Sequence, residues 1–255
     1  MKISYTIADP TGNITALVTS PVPPARRQDA VRALLRGPVE QVGFILPPER
    51  GGAARLEMMG GEFCGNASMS LAAYLCAQKG LAALETALEV SGAAGQVACT
   101  AARTADGVYR GSVEMPLPLE MRMQLLPGLD APAPVVFFPG IAHVLLPGRI
   151  QAPAERMADW CARLGADALG VLPLFGTPLR IEPVVWVPAA RSLVHEHGCG
   201  SGTAAVGAWL CREQGAPVCA AIHQPGGVIT VQAEETSIRI SGTVRLSQKA
   251  QLELA

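Results

Sequence analysis

Two stretches of this 255-residue chain repeat each other at a nearly fixed distance. Cys64-Gly65-Asn66-Ala67-Ser68 aligns with Cys199-Gly200-Ser201-Gly202-Thr203, and Ala73-Tyr74-Leu75-Cys76 with Ala208-Trp209-Leu210-Cys211, both at an offset of 135 residues. The register extends outward with small drifts. Pro24-Ala25 and Arg27 fall on Pro153-Ala154 and Arg156, Gly43 and Ile45 on Gly170 and Leu172, Val90 and Gly95 on Ile222 and Gly227, and Gly111 and Val113 on Gly242 and Val244. The offset stays between 127 and 135, as insertions confined to loops would leave it. Self-similarity at this scale means that one structural unit is built twice. It predicts two domains, 1–118 and 119–247, divided in the proline-rich run around Pro116, Pro118 and Pro127, with the last strand, 248–255, able to return to the first.

Local patterns predict the same elements in each copy. Lys2 to Thr19 reads as strand, turn, strand about Asp9-Pro10-Thr11-Gly12-Asn13. Arg26 to Arg36 reads as a helix stopped by Gly37-Pro38, and Gln41–Leu46 and Arg55–Met59 as short strands. A helix from about Cys64 to Lys79 is apolar or small nearly all round and is expected to be buried. The second copy gives helices over Glu155–Leu164 and Cys199–Gln214. Strands follow each buried helix: Leu88–Val90, Gln96–Ala101 and Val108–Val113, then Ala220–His223, Val228–Ala233 and Ser237–Leu246. The fold class is therefore α+β, with two pseudo-symmetric domains, each a mostly antiparallel sheet wrapped round a central helix. The 27 glycines and 21 prolines suit many short strands.

Composition removes several classes of function. Twenty Lys+Arg against 21 Asp+Glu leave a net charge of −1, without the basic excess of a nucleic-acid binder. The longest apolar stretch, Val135 to Leu146, is broken by Pro139, Gly140 and His143 and is too short to span a membrane. The N-terminus lacks the apolar core of a signal peptide, so a soluble, cytoplasmic protein is expected. Seven cysteines without a CxxC pair argue against a disulfide framework or a four-cysteine zinc site. His195, His197 and Cys199 alternate and would share one face of a strand, a possible zinc set, but the first copy has no matching histidines, and no metal is expected. Gly198-Cys199-Gly200-Ser201-Gly202 lacks dinucleotide-fingerprint spacing, and no βαβ unit is expected around it.

Cys64 and Cys199 each stand where a strand ends and a buried helix begins. A helix N-terminus offers free N–H groups and partial positive charge, which lower a thiol's pKa and hold an anion such as a carboxylate. Gly65 and Gly200 let that backbone approach a ligand closely. If the halves face each other, the two thiols converge on one cleft. Two opposed acid/base groups about one carbon are what racemisation requires: one removes the α-proton, and the other delivers a proton to the opposite face. Cys76, Cys99, Cys161, Cys211 and Cys219 read as ordinary structural cysteines.

These motifs also carry a resemblance. Gly61-Glu62-Phe63-Cys64-Gly65-Asn66-Ala67 resembles the E-x-C-G-N motif of the diaminopimelate epimerase superfamily. Gly198-Cys199-Gly200-Ser201-Gly202-Thr203 resembles its C-G-S-G motif, Pro225-Gly226-Gly227 its P-G-G, and Gly12-Asn13 its early substrate-binding asparagine. Before the second cysteine the chain reads Ala190-Arg191-Ser192-Leu193-Val194-His195-Glu196-His197-Gly198, where diaminopimelate epimerases carry E-R-G-A-G-E-T; Arg191 keeps the arginine's spacing but the pattern around it is gone. That segment, with Glu40-Gln41-Val42-Gly43-Phe44-Ile45 and His223-Gln224-Pro225-Gly226-Gly227, is closer to the histidine racemases of opine-metallophore (staphylopine-type) biosynthesis. Gly140-Ile141-Ala142-His143 keeps the histidine of the superfamily's G-N-P-H and loses its asparagine. The resemblance implies a racemase that needs no pyridoxal phosphate or other cofactor, with Cys64 and Cys199 as its two bases. Its small-molecule amino-acid substrate would contact Asn13, Glu40, Gly65, Asn66, His143, Glu196, Gly200 and Ser201. Histidine is the favoured substrate, with Glu40 and His143 as partners for the imidazole, because burying that ring unpaired is costly. Diaminopimelate or another amino acid is the alternative, and a non-catalytic or metal-binding relative is the alternative of another class. A homodimer is also implied.

Overall fold

The computed structural model describes residues 1–149 and 152–254. The chain divides into two compact units, one joining Met1–Glu114 to the chain from Ser241 onward, the other running from Met115 to Ile240. The division lies a few residues before 118/119 and 247/248, because one long strand carries the chain back into the first unit; Ala255, the end of the expected last strand, lies outside the described residues.

The first unit contains β1 (Lys2–Pro10), β2 (Thr15–Val18), α1 (Pro24–Leu34), β3 (Gln41–Leu46), β4 (Arg55–Met58), α2 (Gly65–Gln78), β5 (Ala83–Val90), β6 (Gln96–Ala105) and β7 (Val108–Met115). The second contains β8 (Glu120–Gln124), β9 (Ala133–Phe138), β10 (Ile141–Pro147), α3 (Ala154–Leu164), β11 (Leu169–Phe175), β12 (Arg180–Ile181), β13 (Val184–Val187), β14 (Ser192–His195), α4 (Gly200–Gln214), β15 (Val218–Gln224) and β16 (Gly227–Glu234). β17 (Ser237–Leu246) crosses back and β18 (Ala250–Glu253) ends the chain.

In the first unit the strands close on themselves. β1 pairs antiparallel with β2, β2 parallel with β3, β3 antiparallel with β4 and β4 parallel with β5. Antiparallel β5–β6 and β6–β7 follow, then β7 pairs with β17, and β17 with the end of β1 (Ala8↔Leu246). These eight strands form a closed barrel, and β18 covers the first half of β1. α2 packs against β1, β2, β5 and β6, and all its residues from Gly65 to Ala73 are buried, which is why it lacks a polar stripe. Outside, α1 lays Ala30, Val31 and Leu34 over Ile3, Val18, Val42 and Phe44. It starts at Pro24, two residues before the expected Arg26, because proline's fixed φ and missing N–H suit a helix's first turn.

The second unit follows the same order of pairings. β9–β10 is antiparallel, β10–β11 parallel, β11 antiparallel to β12 and β13, β12–β15 parallel and β15–β16 antiparallel, with β8 added beside β9. α4 packs against β15, β16, β9 and β10. At Gly207 a Cβ would overlap Val231, so only glycine allows this helix so near β16. α3 is amphipathic and buries Met157, Trp160, Cys161 and Leu164 on Val135, Val144, Leu146 and Val171.

The four parallel pairs correct the expectation that no strand–helix–strand crossover surrounds the cysteine motifs. Parallel neighbours need a long crossover, and a helix supplies each: α1 between β2 and β3, α2 between β4 and β5, α3 between β10 and β11, and α4 before β15. Among the described residues no helix is long and apolar enough to cross a membrane. Cys76, Cys99 and Cys161 are buried, but Cys219 is exposed, because it occupies an outward phase of β15.

Candidate active site

Both cysteines occupy the same backbone position. Cys64 and Cys199 are the N-cap residues of α2 and α4, extended at φ −132°, ψ 109° and φ −106°, ψ 105°. An N-cap side chain turns toward the free N–H groups of the first turn. The Cys64 Sγ accepts from the Ala67 N–H at 3.4 Å, and the Cys199 Sγ from the Gly202 N–H at 3.2 Å. Four residues into each helix a hydroxyl donates back to the cysteine carbonyl: Ser68 at 2.7 Å and Thr203 at 2.8 Å. Gly65 and Gly200, both buried, open the two helices.

In the first unit the predicted residues belong to one hydrogen-bonded group. The Asn13 amide donates to Glu40 Oε2 at 2.9 Å, and its Oδ1 accepts from Asn66 Nδ2 at 3.2 Å and from Gln41 Nε2 at 2.5 Å. Gln41 also donates to Thr15 Oγ1 at 2.8 Å, and its Oε1 accepts the Cys64 thiol at 3.3 Å. The parallel register Thr15↔Gln41 sets this up, and Glu40 N and Gln41 N both donate to the Ile14 carbonyl. Asn13, Gln41 and Asn66 are buried, while Glu40 and Cys64 are half-buried and reach the surface.

The second unit gathers His143, Glu196, Cys199, Gly200 and Ser201. Cys199 is only 3% exposed. Its backbone N–H donates to Gln224 Oε1 at 2.6 Å, and Gln224 Nε2 donates to Thr203 Oγ1 at 2.7 Å. Burial pushes the Cys199 thiol well above its ordinary range. The Glu196 carboxylate adds to this by its charge and by accepting a hydrogen bond, while Ser201 and the Gly202 N–H pull the other way. This corrects the expectation of a lowered thiol: loss of water and a neighbouring anion outweigh one helix end. The resting Cys199 is protonated. The Ser201 Oγ lies 3.6 Å from its sulfur and 2.9 Å from His143 Nε2. His143, on β10, is wholly buried, and burial pulls its imidazole down to about 3, so it is neutral.

Gln41 and Gln224 are site residues that the sequence alone does not single out. The two glutamines stand inside segments that carried the family resemblance, but only strand register shows that they meet the cysteines. Arg191, in a left-handed conformation at φ 48°, is exposed, as are His195 and His197. Among the described residues no three His, Cys, Asp or Glu side chains gather to hold a metal.

The fold is that of racemases and epimerases. It matches the structure of a predicted epimerase from Pseudomonas aeruginosa with a TM-score of 0.74 and 20% identity over the whole of both chains. It also matches a hydroxyproline epimerase from Agrobacterium vitis with bound trans-4-hydroxy-L-proline, at a TM-score of 0.72 and 14% identity over 98% of this chain and 91% of that one. Residues 2–252 match the family described as histidine racemase CntK N-terminal domain, and the chain belongs to that family. The histidine racemase of Staphylococcus aureus (strain Mu50) is 28% identical over 278 aligned positions that span 98% of each chain. The protein is an isomerase of the amino-acid racemase class.

Proposed function

We propose that this protein interconverts L- and D-histidine without a cofactor, with Cys64 and Cys199 as its two proton-transfer groups. The observation that carries the reading is the pair of N-capping cysteines in a chain of the histidine racemase family. In one direction a thiolate removes the α-proton from one face while the other cysteine, as a thiol, protonates the opposite face; the roles exchange in reverse. The raised thiol of Cys199 fits it for the donor's part. Backbone N–H groups at the two helix starts, Gly65-Asn66 and Gly200-Ser201, would hold the substrate carboxylate and stabilise charge as the proton leaves.

Asn13 would contact the substrate beside Cys64. Glu40, half-buried and steadied by the Asn13 amide, is the acceptor we assign to the substrate imidazole N–H. The shared order of strand pairings supports reading the two units as diaminopimelate epimerase-like copies. Family resemblance supports a homodimer, and seven free thiols suit the reducing cytoplasm.

A panel of L-amino acids in D2O, followed by NMR of the α-proton, tests the reading. Histidine should lose its α-proton signal fastest, and Cys64→Ser or Cys199→Ser should slow the loss by several powers of ten. Exchange of diaminopimelate in preference to histidine would overturn the substrate, and full activity in either serine variant would overturn the two-base assignment.

A further inference from the structure

His143 is an isolated titratable group at the heart of the second unit. On β10 it pairs in register with Gly170 of β11, and a Cβ on residue 170 would overlap the imidazole Nδ1. The ring therefore lies where only a glycine neighbour admits it. The ring meets Phe138 in an edge-on pair at a centroid distance of 6.3 Å, and among the described residues Nδ1 has no hydrogen-bond partner. Among the described residues its one polar contact is Nε2 with Ser201 Oγ, and Ser201 Oγ in turn approaches Cys199 Sγ.

A neutral imidazole carries one N–H, on Nδ1 or on Nε2. Buried N–H groups are orphaned more rarely than buried acceptors. That preference puts the proton on Nε2, where Ser201 receives it, and leaves a lone pair on Nδ1. Ser201 Oγ, occupied as an acceptor, then has its own O–H to give. The sulfur lies within reach of that hydroxyl, at 3.6 Å, and already accepts the Gly202 N–H.

We infer that His143 is a positioning residue for the racemase reaction: it fixes the Ser201 hydroxyl as a donor to Cys199 Sγ. This inference rests on Cys199 being a proton-transfer group. No proton passes along the chain from His143 to the sulfur. With two donors fixed on the sulfur, the thiol's own hydrogen cannot turn toward Ser201. It is left for Glu196 in the resting protein and for the substrate carbon in turnover. After the proton has gone, the same two donors face a thiolate in unchanged orientation, so one arrangement serves the acid form and the base form. Without His143 the hydroxyl could rotate to accept the thiol proton, which would hold that proton away from substrate.

Two measurements test this without substrate, so their failure is distinct from failure of the histidine reading, which shows as absent α-proton exchange in the wild type. First, 15N NMR of the histidine-labelled wild-type protein reads the tautomer of His143. The Nε2–H form is expected, and the Nδ1–H form overturns the inference. Second, the rate of modification of Cys199 by methyl methanethiosulfonate at fixed pH reports its thiolate fraction, with Cys64 in the same sample as the reference. Loss of one donor to the thiolate should slow Cys199 about ten-fold in Ser201→Ala and in His143→Phe alike. The double variant should be no slower than either, Ser201→Thr should keep the wild-type rate, and Cys64 should not change. An unchanged Cys199 rate in Ser201→Ala, or multiplying effects in the double variant, would overturn it. A general loss of structure would move Cys64 as well.

Discussion

The Gln224 side chain offers the sharpest test of how the second site is held together. It is 7% exposed and makes two hydrogen bonds to the start of α4: its Oε1 accepts the Cys199 N–H and its Nε2 donates to Thr203. Leucine at this position nearly keeps the volume and removes both bonds. The Thr203 hydroxyl still donates to the Cys199 carbonyl and loses only a donor. The Cys199 N–H fares worse, because it is buried and has no water to turn to. A buried polar group stripped of its partner costs about 1–3 kcal/mol, so Gln224→Leu should destabilise the fold by about 2–4 kcal/mol in all. For a chain of this size that is a fall in melting temperature of about 6–12 °C. Thermal unfolding followed by circular dichroism measures it. If Gln224→Leu melts within about 2 °C of the wild type, the buried N–H is satisfied some other way and the reasoning fails.

Other expectations follow from the same groups. His143 is neutral in the folded protein down to about pH 3, whereas an unfolded histidine binds its proton near pH 6.5, so its stabilising effect is complete above 6.5 and is lost as pH falls. The loss should be on the order of 4–5 kcal/mol by pH 3, and urea titrations of His143→Phe should lack that part of the acid limb. The raised Cys199 thiol gives the opposite sign, with stability falling as pH rises above the ordinary thiol range, and Cys199→Ser should flatten that alkaline limb. Gly170→Ala should displace the His143 ring and lower the racemisation rate about as far as His143→Phe does, as read by α-proton exchange. Cys76→Ser, at a site whose thiol donates to the Leu81 carbonyl, should leave that exchange rate within about two-fold of the wild type.

Much of the architecture was legible because it rests on local rules. A helix buried on all sides needs small and apolar residues everywhere, so α2 and α4 stand out in sequence, and a cysteine followed by glycine marks where each begins. The repeat added what a single copy could not: the same cap at the same place in two units. Parallel pairing was not legible, because it depends on how far a helix carries the chain before the next strand joins, and that connection has no local pattern.

The sequence by itself determined the two capped helices and the family, since these are properties of short segments. Only the tertiary structure decided what surrounds each sulfur. Gln41 reaches Cys64 through the register of β2 with β3, Gln224 reaches the Cys199 N–H from β15, and His143 lies beneath Ser201 because Gly170 leaves it room. The charge state of Cys199 belongs to the same level. A helix N-terminus is written in sequence and favours a thiolate. Burial and the neighbouring Glu196, which favour the thiol more strongly, exist only once distant segments have packed.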